Sequence, residues 1–183
     1  MDEIAHETAR MVSKILSGIA IHKDSVKISV EQLARSGVIC AQVHSADMPR
    51  AIGRGGAHIK ALTKIVENIG LTSGVPLKIR LLEPEAGQRD RYSPFEPKEE
   101  WDGKSAHELL TQVASAAISG GAVVERNDGA NAVTEFVVKP MRRQPAREFE
   151  ELIAALNVLW NAIGRAQGRI VTVSGGEPVS LPG

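Results

Sequence analysis

The chain has 183 residues, 43% hydrophobic and 3% aromatic, with 22 Lys+Arg against 22 Asp+Glu and a single cysteine. That length and apolar content suit one ordinary domain or two small ones with a packed core, and argue against bulk disorder. Scarce aromatics disfavour a base-stacking platform. Cys40 alone excludes an internal disulfide and a zinc knuckle, and zero net charge confines any polyanion site to a local patch. The start MDEIAHETAR lacks the basic and apolar regions of a signal peptide, and no run approaches the roughly 18 apolar residues of a membrane span. The expectation is a reduced, cytoplasmic protein with no membrane partner.

In chain order, Ile4, Met11, Val12, Ile15 and Leu16 recur at helical spacing and predict a helix over Glu3–Ser17, with Gly18 as its stop. Residues 26–30 alternate with period two and predict a strand. Arg35-Ser36-Gly37 predicts a turn, and 38–43 a second strand of the hairpin. Asp47-Met48-Pro49 is suited to open a short helix, with Asp47 as N-cap and the proline in the first turn. Gly53-Arg54-Gly55-Gly56 follows, and then an amphipathic helix over Ala57–Ile69, with Ile59, Leu62, Val66 and Ile69 on one face and Gly70 as its close. Residues 77–81 predict a last strand.

Residues 84–104 change character, with three prolines, two glycines and many charges, and read as a linker dotted by Tyr92, Phe95 and Trp101. Packing of these rings on neighbouring domains is the expected role. Beyond it the pattern recurs: a helix over Ala106–Ile118, strands over Ala122–Arg126 and Val133–Lys139 around the turn Asn127-Asp128-Gly129, a helix over Arg147–Ile163 and a strand over Arg169–Val173. Displaced by 94, the halves align without a gap: Ala61-Leu62 falls on Ala155-Leu156, Ile69-Gly70 on Ile163-Gly164, Val43 on Val137 and Glu31 on Glu125. An internal duplication is the expectation, with two unrelated α+β domains as the alternative. The first half is mildly basic: residues 1–84 hold 11 Lys+Arg and 8 Asp+Glu, whereas residues 105–183 hold 7 and 8.

The chemistry concentrates at Gly53-Arg54-Gly55-Gly56. Glycine permits positive φ in a tight turn between helices and lets a sugar-phosphate backbone approach the main chain. Free N–H groups at the start of the following helix present donors and a positive dipole end. Arg54 supplies a guanidinium at the tip, Arg50 lies just before, and Lys60 and Lys64 extend a positive track along one helical face. A P-loop would end in Gly-Lys-Ser/Thr, and a dinucleotide fingerprint would have glycine where His58 stands.

The run Ile52-Gly-Arg-Gly-Gly-Ala-His-Ile-Lys-Ala-Leu62, in its α-β-β-α-α-β setting, resembles the KH domain of the prokaryotic, type II form. It is especially similar to the short bacterial single-KH RNA-binding proteins, over about residues 3–82. Arg54 stands where that pattern carries lysine, which keeps the charge. Together with the recurring pattern of the second half, the resemblance implies a fold of two tandem α-β-β-α-α-β modules of α+β class, each a three-stranded sheet with helices packed on one face. Residues 1–83 would be the KH domain, 84–104 the linker, 105–174 a degenerate KH-like copy and 175–183 a loose tail. It implies a groove for about four unpaired nucleotides of single-stranded RNA, with single-stranded DNA also admitted. The implied contacts are Arg50, Ile52, Gly53, Arg54, Gly55, Gly56, His58, Lys60 and Lys64. Ile52 and Ile59 are candidate floor residues, and core packing competes for Ile59. His58 has two readings, a phosphate donor or a solvated or helix-capping group.

In the second half, Arg147-Glu148-Phe149-Glu150 aligns with the loop. Its carboxylates would repel phosphate, so a structural or protein-contacting role is expected, as a partner subunit would play. Met141-Arg142-Arg143-Gln144-Pro145, just upstream, is basic. The five histidines form no metal-ligand pair, Cys40 sits between apolar strand neighbours as a core thiol, and Trp160 continues the stripe of Leu152, Leu156 and Ile163. No catalytic set, metal or cofactor is expected. The competing function is a protein-interaction scaffold that keeps the fold with little or no RNA binding.

Overall fold

The computed structural model describes residues 2–84 and 103–179. The expected packing of Tyr92, Phe95 and Trp101 lies outside the described residues. Helix α1 spans Asp2–Ile19 and buries Ala5, Ala9, Val12, Ile15, Leu16 and Ile19 on one face. It does not stop at Gly18. A Cβ there would lie 3.0 Å from Cγ1 of Ile163, so this glycine serves close approach of two helices rather than termination. Strands β1 (Lys27–Leu33) and β2 (Ser36–Gln42) form a hairpin with a two-residue turn, Ala34-Arg35. The turn therefore precedes its expected place: Ser36 pairs with Leu33, and Gly37 lies in β2 with its N–H donated to the Pro76 carbonyl at 3.0 Å.

Helix α2 covers Met48–Ile52, the glycine turn follows, and α3 covers Ala57–Ser73. Gly70 lies inside α3, where a Cβ would meet the Leu77 N–H and the Val75 carbonyl at 2.7 Å. The helix ends at Gly74, with φ 70°, and Val75 donates back to the Gly70 carbonyl at 3.0 Å. Strand β3 is Leu77–Leu82. The second half comprises α4 (Gly103–Ala117), β4 (Ala122–Asp128), β5 (Val133–Pro140), α5 (Ala146–Ala166) and β6 (Ile170–Gly175). Its hairpin turn falls after Asp128, with Asn131 and Ala132 at positive φ, later than Asn127-Asp128-Gly129.

The fold is α+β, with two three-stranded sheets ordered β1-β2-β3 and β4-β5-β6. In each, the first pair is antiparallel and the second parallel. α1 and α3 cover the first sheet, and α4 and α5 the second. The helices of the two halves face one another, α3 against α4 and α5, and α1 likewise. One continuous core results, running from Ala5 on α1 to Val173 on β6. Trp160 is fully buried there and donates its indole N–H to the Ala106 carbonyl at 3.0 Å.

Three expectations about the second half are corrected. It has no short helix: residues 141–145 are a loop, so the order there is α-β-β-α-β. The halves also do not correspond without gaps. Gly70 packs on Leu77 as Gly164 packs on Val171, which sets an offset of 94 for the last helix and strand. Leu77 pairs with Gly37, but Val171 pairs with Thr134, an offset of 97 for the central strands. Through the hairpins Glu31 then corresponds to Asn127, not Glu125. The three residues missing between β5 and α5 are those a short helix would need. The expected tail boundary at Gly175 lies inside β6, and beyond it Gly176 and Val179 donate to the Val138 and Pro140 carbonyls at 2.9 and 3.0 Å. Residues 180–183 lie outside the described residues.

Candidate nucleic-acid interface

The α2–α3 junction is built on three left-handed glycines: Gly53 (φ 74°), Gly55 (φ 61°) and Gly56 (φ 76°). The Gly53 N–H closes α2 on the Pro49 carbonyl and the Gly56 N–H returns to the Gly53 carbonyl, both at 3.0 Å. A Cβ at Gly53 would stand 2.6 Å from the His58 ring and 2.8 Å from the His58 N–H, so nothing larger fits. Gly55 is different: no atom lies within 4 Å of its would-be Cβ. It and Arg54 form an exposed tip, and no side chain caps the start of α3, whose first N–H, of Ala57, is bonded to the Arg54 carbonyl.

Two side chains hold this turn in shape. His58 donates from Nδ1 to the Arg50 carbonyl at 2.5 Å and so ties α3 to α2 across the glycines. Lys60 donates from Nζ to the Gly55 carbonyl at 3.2 Å, which keeps its charge beside the tip. Among the described residues neither the Arg50 nor the Arg54 guanidinium has a hydrogen-bonding or ionic partner, and both residues are exposed. Ile52 is 38% exposed and Ile59 half-buried, and neither joins the continuous core.

Lys64 departs from expectation. It does not extend a free positive track but pairs with Glu151 of α5 at 2.8 Å, and Arg147 reaches the same carboxylate at 3.0 Å. Lys64 first, and then Arg147, holds the Glu151 carboxyl below its ordinary range. The structure thus brings Arg50, Ile52, the glycine turn, Arg54, His58 and Lys60 together at one end of α3. Lys64 lies two turns on, engaged by the other half.

Asp47 plays a part that sequence reasoning missed. Its side chain does not cap α2. It is 1% exposed and reaches back to accept from the Ile21 and His22 N–H groups at 3.0 and 2.8 Å and from His22 Nδ1 at 3.0 Å. Burial alone would raise its pKa; these three donors outweigh that and hold the carboxyl below its usual value. The His22 ring stacks on His44 with centroids 4.0 Å apart. The short helix carrying Arg50 and Ile52 is thereby anchored to the α1–β1 connection, a contact across about 25 residues that no local pattern announces.

In the second half, α5 runs as regular helix through Arg147-Glu148-Phe149-Glu150, the positions of the glycine turn at the α5 offset. No protein-family model matches the chain, and no curated protein matches it significantly. Among the described residues no group of three or more His, Cys, Asp or Glu is placed to hold a metal, and no helix is long and apolar enough to cross a membrane.

Proposed function

We propose that the chain is a non-enzymatic RNA-binding protein of KH type. Its first half grips short single-stranded RNA through the glycine turn, and its second half is a degenerate KH-like copy that supports the first. The observation that carries the reading is the turn itself: three glycines at positive φ within the four residues 53–56, around an exposed Arg54–Gly55 tip, between a short and a long helix. The α-β-β-α-α-β order of residues 2–82 and its mixed three-stranded sheet support it. Phosphates would meet Arg54, Arg50, Lys60 and the first-turn N–H groups of α3. Ile52 and Ile59 would supply an apolar floor for the bases.

The test is fluorescence-anisotropy binding of a random single-stranded RNA pool, at two salt concentrations, to the parent chain and to R54D/G55D. Salt-sensitive binding by the parent alone is expected; equal binding by both overturns the loop assignment. A parallel single-stranded DNA pool reads whether the clamp distinguishes the 2′-hydroxyl.

A second reading, a protein-interaction scaffold, is favoured by one observation. Glu151 occupies Lys64, and Glu148 and Glu150 of the same helix add negative charge at its exposed start. Absence of RNA binding by the parent would move the function to that reading.

A further inference from the structure

The second half carries a cleft of about 780 Å³ between the start of α5, the β5–α5 loop and the end of β6. Its floor is apolar, from Phe149 and Ile153 of α5 with Pro140 and Pro178. Its charge is the reverse of the glycine-turn end of the first half. At the α5 offset, the positions of Arg54, Gly56 and Lys60 are held by Glu148, Glu150 and Ala154. In the lining, Glu150 and Glu177 face a single cation, Arg143, and neither carboxylate has a partner among the described residues.

One wall of the cleft is the outer edge of β6, on the side away from β5. Ile170 and Gly176 donate their N–H groups to the β5 side, to the Ala132 and Val138 carbonyls. The alternation of a strand then turns the peptide groups of Val171, Val173 and Gly175 away from β5. Two asparagines of α5 meet the first of these: Asn161 donates to the Val171 carbonyl at 3.2 Å, and Asn157 accepts from the Val173 N–H at 2.8 Å. Gly175 comes next along that edge. It is exposed and lines the cleft, and it lies so close to Phe149 that a Cβ would stand 2.8 Å from the ring.

From these features we infer that the cleft binds an extended peptide segment of a protein partner, one that carries an apolar side chain flanked by lysine or arginine. The segment adds to the β6 edge by hydrogen bonding to the Gly175 peptide group. Its apolar side chain enters between Phe149 and Ile153, and its cations face Glu150 and Glu177. A phosphate backbone is the poorer fit, because the carboxylates stand where its charge would lie. This inference concerns the second half alone and is independent of RNA binding by the first.

The test uses the full chain carrying R54D/G55D, so that the first-half turn contributes nothing. Three fluorescein-labelled decapeptides serve as probes, one alternating Lys and Leu, one alternating Glu and Leu, and one of Gly and Ser, together with oligouridine. The Lys/Leu peptide should bind at least tenfold more tightly than the other peptides. It should perturb the amide resonances of Phe149, Ile153, Gly175 and Gly176. E150K/E177K, two changes at exposed positions, should reverse the preference toward the Glu/Leu peptide. Binding unchanged in E150K/E177K, perturbation confined to other surfaces, or no binding of the Lys/Leu peptide would each overturn the proposal. Oligouridine perturbing Gly175 and Gly176 would overturn it in favour of a nucleic-acid cleft.

Discussion

The starts of α3 and α5 show how four residues redirect one architecture. Both helices lead into a parallel strand of a three-stranded sheet, and both pack a glycine, Gly70 or Gly164, against that strand. α3 begins only after the glycine turn and a separate short helix. α5 has no glycine at the matching positions and three fewer residues before it, so its backbone takes ordinary helical geometry from Ala146 onward. One half therefore presents bare main chain and an unpartnered guanidinium; the other presents side chains, two of them carboxylates. Positive φ at Gly53, Gly55 and Gly56 is what separates a main-chain surface from a side-chain surface here.

The comparison breaks most violently at the shared core. Trp160 of α5 is fully buried in a cluster that both halves build. Trp160→Ala should cost about 3–5 kcal/mol through cavity formation and the stranded Ala106 carbonyl. Urea unfolding followed by far-ultraviolet circular dichroism should show one transition at a lower midpoint. Two separated transitions would mean that the halves fold independently and that the second does not support the first.

R54D/G55D tests the difference itself. Gly55 is open on its Cβ side, and aspartate tolerates left-handed backbone better than most residues, so the fold should survive with a melting temperature within a few degrees of the parent. RNA affinity should fall about 100-fold or more at low salt, since one charge is reversed and another added at the tip. G53A makes the complementary point. Gly53, at φ 74° and ψ 166°, lies in a region essentially reserved for glycine and the His58 ring blocks its Cβ, so this change should destabilise by about 1–3 kcal/mol as well as weaken binding.

Asp47 is the next largest effect, and it belongs to the first half only. Asp47→Ala removes the charged acceptor of the Ile21 and His22 N–H groups and should cost about 2 kcal/mol, measured by the same urea titration. The folded-state carboxyl is held below its unfolded value, so its contribution is fully present above about pH 4 and is lost as pH falls through the depressed folded value. The parent's stability should therefore drop on acidification in that range more steeply than that of Asp47→Ala. Coincident slopes would show that the carboxylate does not hold α2.

How much of this was legible in the sequence follows the range of each interaction. Helix and strand periods gave every major element described, because burial of one face leaves its spacing in the chain. The glycine turn was legible because positive φ has a residue-type signature. Gly18 and Gly70 were misplaced as helix ends because a glycine needed for close packing looks the same as one needed to stop. Asp47 was misassigned because its partners, Ile21 and His22, are remote in sequence, and an aspartate before Met-Pro has a local explanation at hand. The gapless alignment failed because the offset of 94 holds only for the last helix and strand of each half, while the second half has three fewer residues upstream, where only strand register reveals the difference.

The smallest expected effect asks whether the second half tunes the first. Glu151 pairs with Lys64 across the α3–α5 contact, and the exposed geometry makes this a matter of charge availability more than of stability. In E151Q, Lys64 regains a free ammonium two turns along α3 from the Arg54–Gly55 tip. Affinity for the RNA pool should rise about two- to threefold at low salt, and the gain should fade as salt screens it. Arg147 is released by the same change, so the increase alone does not identify the cation responsible. K64M in the E151Q background separates them: if Lys64 is the released group, the double variant should return to the affinity of K64M alone, and if Arg147 is, the gain should persist. No gain in E151Q would remove Lys64 from the proposed RNA-binding surface and leave the α3–α5 pair as a contact between halves only.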